Sequence, residues 1–433
     1  MVHQHFMLVP PFTVTENVIL GSEPKRGAFI DYNTGRKEVA SLSLKFGLNV
    51  DADAKIEELS VGIQERVEIL KLLYRGADIL ILDEPTAVLT PQETEELFKI
   101  IRSLKEQGKT IILITHKLEE VFAISDRITV MRQGKVVGVV NTSETNKDDL
   151  ARMMVGRSVL FKVEKEKAKA GDVVLKLKDV CAESSRKASE LKKVNLAIKS
   201  GEIHGIAGVE GNGQTELAEV ITGLREIKSG KISFKGETIN DRSPRELYQL
   251  GISLIPQDRQ KEGLILDFPV YENLILGIHH KPPYSKGIRL NFGAIMESSK
   301  NLVKEFDIRP PDPNLPVRAL SGGNQQKVII AREFSKNPDF IVAAHPTRGV
   351  DIGGIEFIHK KLLEARDRGV GVMLISADLS ELLSLSDRIS VIYEGKIVGT
   401  FKVEQVDEFQ LGYLMTGGKG KRKNGEVNNA NPK

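Results

Sequence analysis

Short β-branched runs alternate along the chain with stretches of helical period. Ile79–Leu82 and Ile111–Ile114 are continuous apolar runs, each followed by a polar turn and a helix-like segment. VVLKLKDV (173–180) shows strand-like alternation, and EIHGIAG (202–208) leads through a glycine-rich loop into the helix-like ELAEVITGL (216–224). Strands separated by helices in this way predict an α/β fold, a largely parallel sheet covered by helices.

The same pattern occurs twice. LSVGIQER (59–66) matches LSGGNQQK (320–327), ILDEPT (81–86) matches VAAHPT (342–347), SDRI (125–128) matches SDRI (386–389), and MRQGKVVG (131–138) matches IYEGKIVG (392–399), at a constant offset of 261. An ungapped correspondence of this length marks a duplicated domain. TVTENVILG (13–21) matches PVYENLILG (269–277) at an offset of 256, so loops between the two blocks absorb the difference. The charged, unperiodic stretch ending at Asp172 forms the seam. The expected division is a first domain over 1–160, a linker over 161–172, a second domain over 173–417, and a disordered tail over 418–433. Gly208 lies 49 residues before Gln257, the counterpart of Gln4. That spacing places the loop equivalent to Gly208 roughly 45 residues upstream of Met1, so the first domain is expected to lack its phosphate loop in this chain.

Composition adds limits. A chain of 433 residues, 40% apolar and 28% charged, suits two folded domains. A net charge of +3 shows no domain-sized basic stripe, so no nucleic-acid partner is expected. Cys181 stands alone, which fits a reducing cytosol. No basic segment followed by an apolar run opens the chain, and no apolar run approaches the roughly 18 residues of a membrane helix. Any membrane role is expected to come through a partner. His279-His280 precedes Pro-Pro without further ligands and is read as loop.

Chemistry concentrates where strands end. In ADILILDEPT (77–86) a buried strand ends at Asp83 and Glu84. Asp83 suits Mg²⁺ as a hard oxygen ligand, and Glu84 is placed to polarise a water for in-line attack on a phosphoryl group. His116 closes the strand TIILITH (110–116) and suits a hydrogen bond to a γ-phosphate or the attacking water. LSGGNQQK opens a helix whose N-terminus, with Ser321, Gly322 and Gly323, favours phosphate oxygens. The first copy has Ser60 and Gly62 but Val61 in place of Gly322, so it should grip phosphate less well. GVEGNGQT (208–215) meets the pattern G-x-x-x-x-G-K-[ST] except that Gln214 replaces Lys. Gly208, Gly211, Asn212 and Gly213 with Thr215 could still cradle phosphates and Mg²⁺, at a cost of about 1.5–3 kcal/mol for the lost cation. Asp83, Glu84 and His116 are matched by Ala344, His345 and Ala377, so the second half is expected to bind nucleotide weakly and not to hydrolyse it.

These residues resemble the ABC ATPase family over nearly the whole chain, above all the fused two-domain ATPases of bacterial sugar and nucleoside importers. VHQHFMLVPPFTVTEN, LSVGIQERVEILK and GVEGNGQTEL resemble the nucleoside branch. The resemblance implies two P-loop NTPase-type domains, each with a helical subdomain, and ATP and Mg²⁺ as cofactors. It implies that Gln4 and Gln257 sense Mg²⁺ and the γ-phosphate, and that Gln325 belongs to a nucleotide-binding signature loop. It further implies a composite site of Asp83, Glu84 and His116 with Ser321, Gly322 and Gly323, and a second of Gly211, Gly213, Gln214 and Thr215 with Ser60 and Gly62. Segments 10–21 and 267–277 match the region that receives a membrane subunit. The implied partners are transmembrane permease subunits and, indirectly, a substrate-binding lipoprotein, with the chain peripheral on the cytoplasmic face of the membrane. The competing readings are a soluble ABC ATPase without a transport role and an inactive truncated product.

Overall fold

The computed structural model describes residues 1–3, 7–86, 89–115, 117–132, 134–155, 165–184 and 189–418. Gln4, His116, the linker residues 161–164 and the tail from 419 on therefore lie outside the described residues. The chain divides into two units, one of residues 1–161 and 351–356, the other of residues 162–350 and 357–433.

In the first unit, α1 (Val14–Ile19), a small hairpin of β1 (Lys25–Arg26) and β2 (Phe29–Ile30), and α2 (Tyr32–Lys45) precede α3 (Val61–Tyr74). β3 (Ile79–Asp83), α4 (Pro91–Glu106), β4 (Thr110–Ile114) and α5 (Leu118–Ile124) follow. A hairpin of β5 (Arg127–Arg132) and β6 (Lys135–Asn141) and then α6 (Lys147–Val155) complete it. Helices α1, α2 and α3 pack on one another as a helical layer. Thr13 begins α1 with a capping box to Glu16, and Thr90, Pro91 and Glu93 begin α4 in the same way. β3 and β4 are parallel, and Val2 pairs with Leu82 on the far side of β3.

The second unit opens with β7 (Val173–Ala182), β8 (Leu191–Lys199) and β9 (Ile203–Ala207), then α7 (Gln214–Ile221). β10 (Ser229–Phe234), β11 (Glu237–Thr238), α8 (Pro244–Gln249), β12 (Ile252–Ile255) and α9 (Val270–Leu274) follow. After a hairpin of β13 (Ser285–Lys286) and β14 (Arg289–Leu290) come α10 (Phe292–Glu305) and α11 (Gly322–Phe334). The remaining elements are β15 (Phe340–Ala344), α12 (Ile352–Asp367), β16 (Gly371–Ser376), α13 (Leu379–Leu385), β17 (Arg388–Tyr393), β18 (Lys396–Lys402) and α14 (Glu408–Met415). The main sheet has the order β12-β15-β16-β9-β17-β18 and is parallel apart from the edge strand β18. An antiparallel sheet β11-β10-β7-β8 shares its core, in which Leu175, Val194, Ile206, Leu217, Phe340, Val342 and Met373 are buried. Helices α9, α10 and α11 pack together as α1, α2 and α3 do.

The repeat holds at the level of single contacts. Asn17 and Asn273 are both buried and pin the loop before their helix. Asn17 accepts from the Val9 N–H at 2.7 Å, and Asn273 accepts from the Ile265 N–H at 2.9 Å. The shared Glu-Asn pair of the two motifs thus has a structural cause: a buried side-chain amide satisfies backbone groups that no ladder reaches. The copies differ at the sheet. In the second unit β9, buried at every position, lies between β16 and β17. Among the described residues no strand lies between their counterparts β4 and β5, which sit in separate two-stranded sheets, and Ile112 and Ile114 are 48% and 46% exposed where Met373 and Ile375 are buried.

One buried group makes the first unit sensitive to pH. Glu65 on α3 is 1% exposed, and among the described residues its Oε1 has no hydrogen-bond partner. Burial, then the nearby charge of Glu68, pushes its carboxyl up to about 8. A folded-state pKa raised above the unfolded value means that the folded state holds the extra proton, so stability falls as pH rises through the interval between them. Urea melts of the wild type should lose stability between pH 5 and 8 at up to about 1.4 kcal/mol per pH unit, a slope that Glu65→Gln should remove.

Candidate functional site

In the first unit the fold builds a strand-end turn. β3 runs parallel to β4, and the chain leaves β3 at Asp83. Glu84 adopts φ 48°, a left-handed conformation that costs a side-chain-bearing residue about 1–3 kcal/mol. Its N–H donates to the Ile114 carbonyl at 2.8 Å, and the Asp83 N–H donates to the Val2 carbonyl at 3.1 Å. The carboxylate pair is thereby held at the carboxyl ends of the strands, where ligands of such sheets collect. Ser60 caps α3 with its hydroxyl unused by the cap, and the side chain is exposed. Gly62 lies against Glu93, so that a Cβ there would stand 2.6 Å from Glu93 Oε1.

In the second unit β9 delivers residues 208–215 to the N-terminus of α7. Gly213 adopts φ 112°, which only glycine takes without strain. The Gln214 side chain is 6% exposed and folds back into this loop. Its Nε2 donates to the Val209 carbonyl at 2.9 Å, and its Oε1 accepts the Asn212 N–H at 3.1 Å. A Cβ on Gly208 would sit 2.3 Å from Gln214 Nε2, so the glycine makes room for the amide. Gln214 therefore both lacks the lysine charge and occupies a backbone donor of the loop. Asn212 ties the loop outward, accepting the Glu394 N–H at 2.8 Å.

A polar chain crosses the mouth of this loop. The Thr215 hydroxyl donates to Gln257 Oε1 at 3.3 Å, and Gln257 Nε2 donates to Glu210 Oε1 at 2.9 Å. The Arg348 guanidinium lies 3.8 Å from the same Glu210 oxygen. Thr215 and Gln257 thus present neighbouring oxygens of the kind Mg²⁺ takes. Ala344, where the first unit has Asp83, removes the strand-end carboxylate, so Thr215 and Gln257 offer neutral oxygens only and the nearby Glu210 carboxylate is already engaged by Gln257, a set that fits the ion poorly. His345 repeats the geometry of Glu84, with φ 47° and its N–H donating to the Ile375 carbonyl at 2.8 Å. Burial, then the charge of Arg348, holds its imidazole below the ordinary range and so neutral.

Ser321 caps α11 and accepts from Asn324 Nδ2 at 2.9 Å. Gly323 follows Gly322 in the first turn of that helix. A Cβ on Gly322 would stand 2.5 Å from the Arg259 guanidinium, whose NH1 donates to the Arg348 carbonyl at 2.7 Å. Gln325 is buried, and its amide donates to the Val317 and Leu320 carbonyls at 3.3 and 3.2 Å, the role Gln64 plays in the first unit. Its side chain is thus committed to the loop before the signature. Two residues on these loops were not foreseen from the sequence. Glu210 stands at a position the glycine pattern leaves open. Arg259 lies two residues past Gln257 and 63 before Gly322, with no motif to signal their contact.

The fold and these loops define a tandem of P-loop NTPase-type α/β units. The chain belongs to the ABC transporter family, whose profile matches residues 1–87 and 191–348. It is 49% identical to the nucleoside import ATP-binding protein NupA of Lactococcus lactis over 96% of this chain and 83% of that protein. It is 51% identical to the guanosine import ATP-binding protein NupO of Bacillus subtilis over 96% of this chain and 82% of that protein. The ribose import ATP-binding protein RbsA of Geobacillus kaustophilus is 36% identical over 96% of this chain and 84% of its own length.

Two outcomes are expected. Gln214→Ala, which removes the amide without adding a cation, should tighten Mg-ATP binding to the second unit, and Gln214→Lys should tighten it further, by roughly tenfold to 150-fold over wild type in fluorescent-nucleotide titration. Weaker binding by Gln214→Ala would identify the amide as a phosphate ligand instead. Gly322→Val should cost about 1–3 kcal/mol of stability through overlap with Arg259, and adding Arg259→Ala should restore most of it in thermal melts.

Proposed function

We propose that this chain is the ATP-binding and ATP-hydrolysing subunit of an ABC importer that energises uptake of a nucleoside or a simple sugar. The observation that carries this reading is the 49% and 51% identity, over 96% of the chain, to the two import proteins for nucleosides and guanosine. Permease subunits in the membrane are its partners, with a substrate-binding lipoprotein acting through them, and the chain sits on the cytoplasmic face. Among the described residues no helix is long and apolar enough to cross a membrane.

Each unit offers apolar side chains for such a partner. Phe12 and Leu20 flank α1 and are 38% and 43% exposed; Ile265 and Phe268 precede α9 and are each 41% exposed. Exposed apolar groups around a short helix suit the docking of a helical segment from a partner.

Within this reading Asp83, with Gln4, serves the Mg²⁺ of the hydrolytic half. Glu84 polarises the attacking water, and His116 assists at the γ-phosphate. The helix N-terminus behind Ser321, Gly322 and Gly323 is suited to phosphate oxygens, and that behind Ser60 and Gly62 less so. Gly208, Gly211, Asn212, Gly213, Gln214, Thr215 and Gln257 form a degenerate nucleotide loop. ATP would supply the phosphoryl group, and a Mg²⁺ held by Asp83 would supply charge neutralisation there.

The test is made on the chain extended upstream to carry a phosphate loop for its first unit and purified with its membrane subunits. Glu84→Gln should lower Mg-ATP-dependent phosphate release by about 10²-fold or more, and His345→Ala should change it little. Uptake of labelled guanosine that is lost with Glu84→Gln supports a nucleoside cargo. Uptake of ribose or glucose alone moves the cargo to the sugars.

A further inference from the structure

Glu120 lies in the first turn of α5 and is 5% exposed. Its Oε1 accepts the hydroxyl of Thr86, and its Oε2 accepts the hydroxyl of Thr115 at 2.8 Å. The Lys117 ammonium stands 3.5 Å from Oε1 and donates to the Thr86 carbonyl at 3.3 Å. Both oxygens of a buried carboxylate are thus satisfied, with a cation beside it, which is the condition under which such a group is retained in a core. Thr86 comes two residues after Glu84, and Thr115 immediately precedes His116. One side chain therefore joins the turn that carries Glu84 to the segment that carries His116.

The second unit is an internal comparison. Glu381 occupies the position of Glu120, with Thr347 and Ser376 where Thr86 and Thr115 stand. Its Oε1 is 3.0 Å from His359 Nε2, at the position of Phe98 in the first unit, and its Oε2 is buried with no partner among the described residues. Among the described residues no hydrogen bond joins Glu381 to Thr347 or Ser376. The bridge is present in the unit with Asp83 and Glu84 and broken in the unit with Ala344 and His345.

We propose that Glu120 is a positioning residue of the hydrolytic half, holding the Glu84 turn and the His116 segment at a fixed separation through the hydroxyls of Thr86 and Thr115. This rests on the reading of Glu84 and His116 given above. Hydrogen exchange by mass spectrometry on the full chain provides the first test, and it does not require turnover. Thr86→Val should speed exchange in peptides covering 113–118, and Thr115→Val should speed it in peptides covering 83–88, each by about tenfold. Adding Glu120→Ala to either variant should then change the other segment little further. If each substitution loosens only its own segment, the bridge is overturned.

The second test is turnover of the transporter assembled with the chain extended upstream to carry the first unit's phosphate loop. Glu120→Ala should lower kcat by about tenfold to 100-fold with KM for ATP within about twofold, because the residue shapes the site without touching nucleotide. Glu84→Gln is the control. If it abolishes turnover while Glu120→Ala leaves kcat unchanged, the positioning role fails. If Glu84→Gln itself leaves turnover intact, the assignment of the hydrolytic residues fails, and the exchange result still decides whether the bridge exists.

Discussion

The N–H of the residue that follows β3 or β15 donates across to a carbonyl at the carboxyl end of the neighbouring parallel strand, Ile114 of β4 or Ile375 of β16, at 2.8 Å in both units. Parallel strands end side by side, and this bond turns the chain sharply enough that the next side chain projects over the sheet end. The turn requires a left-handed residue, Glu84 in one copy and His345 in the other, at nearly the same φ. A conformation that costs about 1–3 kcal/mol is kept with two chemically unrelated side chains. The geometry therefore belongs to the fold, and the chemistry to whichever residue the turn displays.

The second unit shows what happens when that chemistry is lost while the backbone remains. Its phosphate loop has the strand, the glycines and the helix, yet Gln214 is hydrogen-bonded into the loop, and Thr215, Gln257 and Glu210 are joined to one another. Donors and acceptors that a nucleotide and its ion would engage are partly satisfied from within. For Gln214, which is buried, this follows from the high cost of leaving a buried amide unpaired, whereas Thr215, Gln257 and Glu210 meet at an exposed mouth.

The same economy explains the repeated motifs that carry no chemistry. Asn17 and Asn273 are shared because each satisfies the backbone of the loop before its helix, and Gln64 and Gln325 are shared because each holds the carbonyls ahead of the signature helix. Sequence matching therefore marks two kinds of residue alike, those that keep loops in place and those that the loops exist to present.

Periodicity and the constant offset of 261 were enough to establish an α/β chain of two related halves, because strand and helix periods are local and a duplication leaves its register in the residue order. The glycine loop, the strand-end carboxylates and their losses in the second half were legible for the same reason: each is a short run of neighbours. The tertiary structure alone decided which distant side chains meet. Arg259 against Gly322, Glu210 with Gln257, and Glu120 between Thr86 and Thr115 each join segments that the sequence separates and the fold of their own unit brings into contact. Side-chain direction in such contacts depends on the packing of the layers behind them, which no local pattern records.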